Sequence, residues 1–287
     1  PRKGKATTMF KKYNFIIILI VFTALLVACY VYLRQQKENE TPSPVEKKTT
    51  KQTSKIDVAE PLDFFLPGNR RHQIIQHQFF TLSYNEQHEQ AAWVAYKLFP
   101  YKLDKNIKRK NNFRKDAAVL TGSATLKDYK KSGYDRGHLA PAKTLSFSEE
   151  AMSESFLMSN MSPQKPSFNR GIWKRLENKV RDWLLLSDSL YVVTGPVLQN
   201  TIDVIGANKV SVPRAYYKSM VRFKNKKMTG IGFLLNHEKS AADINTFVLA
   251  IDSIEQITNL NFFKNLDTIL QNKIEKNTNL HRFITLE

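Results

Sequence analysis

The longest apolar block in the chain comes early. Residues 15–33 are nineteen positions without a charge, about 28 Å of helix at ~1.5 Å per residue, close to the ~30 Å of a hydrocarbon layer. This predicts a transmembrane anchor. Basic residues ahead of it (Arg2, Lys3, Lys5, Lys11, Lys12) assign residues 1–14 to the cytoplasm and everything beyond residue 33 to the periplasmic or extracellular side. Residues 34–55 are Lys, Thr, Gln, Glu, Ser and Pro with almost nothing apolar. Such a stretch cannot offset its ordering entropy by burial and reads as a flexible linker. Residues 56–287 then read as one globular domain.

Within that domain the period of apolar positions changes from segment to segment. Residues 79–84, 191–194, 215–223 and 229–235 have strand composition, the second ending at a Gly195-Pro196 turn. Residues 92–98 suit a strand, although 89–98 also suits a helix. Residues 148–159 read as a helix. A longer one spans 169–186, with Trp173, Leu176, Val180, Trp183 and Leu184 as an apolar stripe at 3/4 spacing. Ser253-Ile254-Glu255-Gln256 resembles a capping box opening a short helix, and 266–274 suits another. Strands and helices without a regular βα repeat predict an α+β fold. The chain has no internal repeat, no Walker-type loop and no GxGxxG.

Composition adds compartment and partner. The single cysteine, Cys29, lies in the apolar block, so the domain holds neither a disulfide nor a cysteine-built zinc site. Leu26-Val27-Ala28-Cys29 resembles a lipoprotein cleavage box. Tyr30-Val31-Tyr32-Leu33 keep the chain apolar where lipoproteins usually turn polar, which favours the uncleaved anchor. The chain holds 44 Lys and Arg against 26 Asp and Glu; 11 and 3 of these precede residue 56, leaving 33 against 23 and a charge of +10 on the domain. That suits a polyanionic partner, although a solvated lysine-rich surface gives the same count.

The candidate chemistry concentrates in Asp135-Arg136-Gly137-His138. In an extended segment Arg136 and His138 point one way, Asp135 and Gly137 the other, so a phosphate clamp and a proton acceptor share a face. Gly137 leaves room for a ligand backbone. Asn169, Glu177 and Arg181 follow on the helical pattern. At ~100° per residue Asn169 lies about 80° from Glu177, and Arg181 is one turn further on. A lone histidine or a helix-opening Asn is usually structural; the combination is what carries the reading. The other histidines (His72, His77, His88, His237, His281) form no metal-ligand spacing.

The DRGH stretch, Asn160-Met161-Ser162-Pro163-Gln164, Asn169 eight positions before Glu177 in an NxGxW…LE pattern, and Thr194-Gly195-Pro196 together resemble the DNA/RNA non-specific endonucleases of the ββα-metal superfamily. The resemblance implies a ββα-metal fold with a central, mainly antiparallel sheet flanked by helices, and favours a strand at 92–98. It implies phosphodiester hydrolysis on DNA and RNA with little sequence preference, leaving 5′-phosphate ends. His138 is then the general base, Asn169 the direct ligand of one Mg²⁺ (or Mn²⁺), and Glu177 holds a metal water. Arg136, Arg109 and Arg181 pair with phosphate. The spacing of Arg109 to its aromatic neighbour varies in the family, which leaves Lys110 and Arg114 as alternatives. Arg170 stands where many relatives carry Gln, and Ala117 where a Pro often follows the acid. The rival class is a catalytically silent surface module that binds nucleic acid, which would need the basic surface but not His138, Asn169 and Glu177 together.

Overall fold

The computed structural model describes residues 62–285 apart from 69–71, 104 and 106, together with positions 23, 27, 28, 31 and 34. The expected anchor and linker lie outside the described residues but for those five positions. Among the described residues no helix is long and apolar enough to cross a membrane. A compact unit covers Ser54–Glu287.

Its centre is a seven-stranded sheet in the order β1 (Gln73–Gln76), β2 (Thr81–Asn85), β3 (Gln90–Leu98), β6 (Ser189–Pro196), β9 (Ala215–Lys224), β10 (Lys227–Asn236), β11 (Val248–Leu249). Every neighbouring pair is antiparallel. Both faces are covered, so the central strands are apolar nearly throughout. Leu190 and Val192 pack on one side with Met220, Ile231 and Phe233, while Tyr191 and Val193 pack on the other with Tyr217, Val221 and Phe223. The same alternation decides residues 89–98. Val94 and Tyr96 join the first layer and Trp93 and Ala95 the second, a period of two that no helix provides.

The first face is closed by helix α2 (Lys174–Leu185), whose Leu176, Val180, Trp183 and Leu184 are the expected stripe. The second is closed by α3 (Ile251–Thr258) and α4 (Thr268–Glu275) through Ile251, Ile254 and Ile274. Two antiparallel two-stranded pairs lie outside the sheet: β4 (Asp135–His138) with β5 (Met161–Gln164), joined through residues 139–160, and the hairpin of β7 (Asp203–Ile205) with β8 (Val210–Val212).

Four local expectations are corrected. The helix expected at 169–186 is broken, because Gly171 adopts φ −100°, ψ −111° inside a π-type turn at Asn169–Trp173. The angular relation between Asn169 and Glu177 on one helix therefore does not hold. The helix expected at 148–159 ends early, as α1 (Glu149–Glu154), followed by a 3₁₀ turn at Met158–Asn160. Ser253 caps nothing, since α3 has already begun behind Ala250. Gly195-Pro196 lies within β6 rather than in a turn after it.

Candidate active site

β4, the segments 107–109 and 141–146, the π-type turn and α2 wall a cavity of about 600 Å³. Arg136 and His138 both line it, as expected from alternation along β4. Gly137 does something other than admit a ligand: a Cβ there would run into the side chain of Gln164, which covers it. Asn160 of the β5 motif fixes the chain after β4. Its Nδ2 donates to the carbonyls of Ala140 (3.0 Å) and Ser155 (2.9 Å), and its Oδ1 accepts from the Ala140 amide (2.9 Å).

His138 is 9% exposed. Its ring meets Phe156 edge-on at 5.0 Å between centroids, and Phe156 meets Phe113 the same way at 4.8 Å. That aromatic pair also carries two cations: the Arg136 guanidinium lies 4.3 Å from the Phe113 centroid and that of Arg109 4.8 Å from Phe156. Burial, with Arg109 and Arg136 close by, pushes the His138 ring down to about 3, against a hydrogen bond to the Arg136 backbone that acts the other way. Nε2 is buried and unpartnered, so the backbone bond belongs to Nδ1. Nδ1 then carries the proton, and the free lone pair is on Nε2.

Asn169 Nδ2 donates to Asp135 Oδ2 at 2.9 Å. A carboxylate only accepts, which orients the amide and leaves Oδ1 for another partner. Arg170 donates to the same carboxylate from Nε (2.9 Å) and Nη2 (2.7 Å). Partial burial alone would raise the Asp135 carboxyl, but these hydrogen bonds outweigh it and hold the group below its usual range.

Glu177 and Arg181 also line the cavity, and the buried Arg181 Nε has no partner. Of the three basic alternatives, Arg109 lines the cavity. Lys110 is paired with Glu149 at 2.6 Å and Arg114 with the Ser153 carbonyl at 2.8 Å.

The profile of the DNA/RNA non-specific endonucleases matches residues 62–269. The chain belongs to that family. A nuclease of Nostoc sp. is 32% identical over 208 residues, 68% of this chain and 75% of that protein. Human mitochondrial endonuclease G is 31% identical over 216 residues, 70% and 72% of the two chains. The solved structure of an EndoG/EndoGI complex matches with a TM-score of 0.67 at 30% identity, over 72% of this chain and 91% of that one. The central antiparallel sheet with its helices is thus the fold of a nuclease.

This endonuclease holds site-supporting groups that the sequence reading passed over. Lys218, fully buried on β9, donates to Thr194 Oγ1 at 3.1 Å and lies 4.3 Å from the Trp173 ring centroid. Burial raises the Glu177 carboxyl, and the charges of Lys218, Arg109 and Lys174 oppose that rise. A lone lysine between Tyr217 and Met220 in an apolar run was the available signal. His237 braces the turn before Asn169: its Nε2 accepts from the Lys165 amide (2.6 Å) and its Nδ1 donates to the Pro213 carbonyl (2.8 Å). His77 pairs with Asp116 at 2.8 Å and His88 with Ser211 at 2.9 Å. None of the five other histidines lines the cavity. Asp135 already accepts three hydrogen bonds, whereas the Asn169 amide oxygen is a neutral, hard donor whose chemistry is compatible with a hydrated divalent ion. The one group of three carboxylates close enough to share an ion among the described residues, Asp252, Glu255 and Glu275, is not part of this cavity.

Proposed function

We propose that this nuclease hydrolyses phosphodiester bonds of DNA and RNA in a Mg²⁺-dependent reaction, with His138 as general base. The observation that carries the reading is the unpartnered Nε2 of His138, buried in the cavity that Asn169, Arg136 and Arg109 also line. Arg136, Arg109 and Arg181 receive the phosphate as charge-assisted donors. His138 Nε2 takes the proton of the attacking water as the water oxygen bonds to phosphorus, and the bond to the 3′ oxygen breaks, that oxygen taking a proton from a solvent water to become a hydroxyl and the other product keeping a 5′-phosphate. Asn169 Oδ1 would hold the divalent ion, and Glu177 one of its waters. When bound, that ion supplies Lewis-acid neutralisation of the phosphate and of the leaving oxygen. Phosphate contacts carry no base information, which supports low sequence selectivity.

Phosphate entering between Arg109 and Arg136 offsets the two charges that depress His138, so the ring becomes a stronger base in the complex than in the free enzyme. Incubating the full chain with plasmid and with RNA, with Mg²⁺ and with EDTA, tests the reading. Cleavage of both only with the metal is expected, and cleavage that persists in EDTA would overturn the metal role.

The placement belongs to the same proposal: residues 15–33 anchor the enzyme uncleaved in a membrane, with the nuclease domain on the extracytoplasmic side. The charge-free length and its basic flank support it. Protease added to intact spheroplasts should remove the domain and spare a cytoplasmic marker; protection of the domain reverses the orientation. A Cys29→Ser variant that stays in the membrane at the full-length size of the wild type supports the anchor, whereas accumulation of a longer precursor supports lipid attachment at Cys29.

A further inference from the structure

Asp135 is the acid of the DRGH stretch, yet no part of the mechanism uses its charge. Its carboxylate is 18% exposed, and Arg170, 72% exposed, covers it from the solvent side with a two-pronged fork at 2.9 and 2.7 Å. The third donor is the Asn169 amide at 2.9 Å. Asn169 and Arg170 are consecutive residues that both line the cavity. A full negative charge therefore sits one amide group away from the oxygen assigned to the metal. A carboxylate oxygen is a stronger ligand for a hard divalent ion than an amide oxygen.

We propose that Arg170 masks Asp135, so that an ion on the Asn169 amide is bound without the added attraction of the neighbouring carboxylate's charge. The inference rests on the reading of Asn169 as the metal ligand. Asp135 itself does not line the cavity, so the fork acts through charge: it cancels the field that would tighten binding from a distance. The result is a weak, water-rich site whose ion keeps its positive charge for phosphate. Arg170→Gln offers Asp135 at most one hydrogen bond in place of the fork and no charge, leaving the weaker influence of Arg136 as the compensating cation. Asp135 keeps its bond from Asn169 Nδ2, so the amide stays oriented in that variant.

The probe is Mn²⁺ alone, titrated into the full chain without nucleic acid and followed by the EPR signal of the free ion. Arg170→Gln should tighten Mn²⁺ binding by about tenfold, the scale of one uncovered charge at close range in a partly solvated site. The same change made on an Asp135→Asn background should alter it by less than about twofold. Unchanged or weaker binding by Arg170→Gln overturns the mask. An equal gain on both backgrounds also overturns it, because removal of a cation would then act on the ion directly and not through Asp135. Asn169→Ala serves as the separate control. If it binds Mn²⁺ as the wild type does, the metal-site reading falls and the mask with it; if it binds weakly while Arg170→Gln is flat, only the mask falls.

Discussion

Acidification should destabilise this domain through His138 by an amount that can be worked out in advance. An unfolded histidine takes up its proton near ~6.5, whereas burial beside Arg109 and Arg136 pushes the folded ring down to about 3. Between those values the unfolded chain binds one proton more than the folded chain, so stability falls as pH falls through the window and returns as it rises. The penalty from this ring is roughly 0.2 kcal/mol at pH 7 and roughly 2 kcal/mol at pH 5, since each unit below ~6.5 adds about 1.4 kcal/mol until the folded ring titrates. His138→Gln has nothing to titrate. Urea unfolding of metal-free protein should therefore show the wild type losing about 2 kcal/mol more than His138→Gln between pH 7 and pH 5. Ring ¹⁵N shifts of the native protein should report a neutral His138 at pH 5, with the proton on Nδ1. Parallel stability curves for the two proteins, or a ring that titrates near ~6.5, would refute the claim that burial and two guanidiniums bear on this imidazole.

Three further outcomes are expected. His138→Ala should lower kcat by ~10²–10⁴-fold with substrate affinity nearly unchanged, whereas Asn169→Ala should lower turnover and raise the metal concentration needed; steady-state kinetics across a Mg²⁺ series separates them. DNA binding by His138→Ala, read by fluorescence anisotropy, should weaken steeply between low and moderate salt because the contacts are to phosphate, and a flat response contradicts them. Burial next to Glu255 and Asp252 pushes the Glu275 carboxyl up to about 8. The folded form therefore holds a proton that the unfolded one has lost, and stability declines from pH 5 to pH 8; Glu275→Gln should raise the urea midpoint at pH 8 more than at pH 5.

The sequence made the frame of the domain readable where one side chain pattern admitted one solution. The stripe from Trp173 to Leu184 has helical spacing, and the run around Val192 is apolar and β-branched enough to mark a buried strand. Residues 89–98 were ambiguous because both faces of β3 are covered, which erases the alternation that marks a half-exposed strand. In the site, Arg136 and His138 were legible from period two alone. What escaped were relations between distant segments. Asp135 orients Asn169 across thirty-four positions, and Lys218 lies beneath α2 from a strand that only the sheet order brings there. Gly171 misled for another reason: a glycine inside a helical stripe is tolerated, and only the backbone reveals that it breaks the helix so that the Asn169 amide reaches β4.

Arg109 and Arg136 rest on Phe156 and Phe113, and neither forms an ion pair among the described residues. A guanidinium parked on an aromatic face has no anion to release before it takes up a new one. Capture of a phosphate chain then has no ion pair to break, only the neutral hydrogen bond from Arg109 Nε to Asn111 Oδ1 (2.7 Å), and is gated by dehydration and ionic strength. The same openness removes any means of telling a nucleic acid from another polyanion at the moment of contact. Heparin or long-chain polyphosphate should occupy the cleft as readily as DNA, acting as decoys that stall the enzyme without ever being cut.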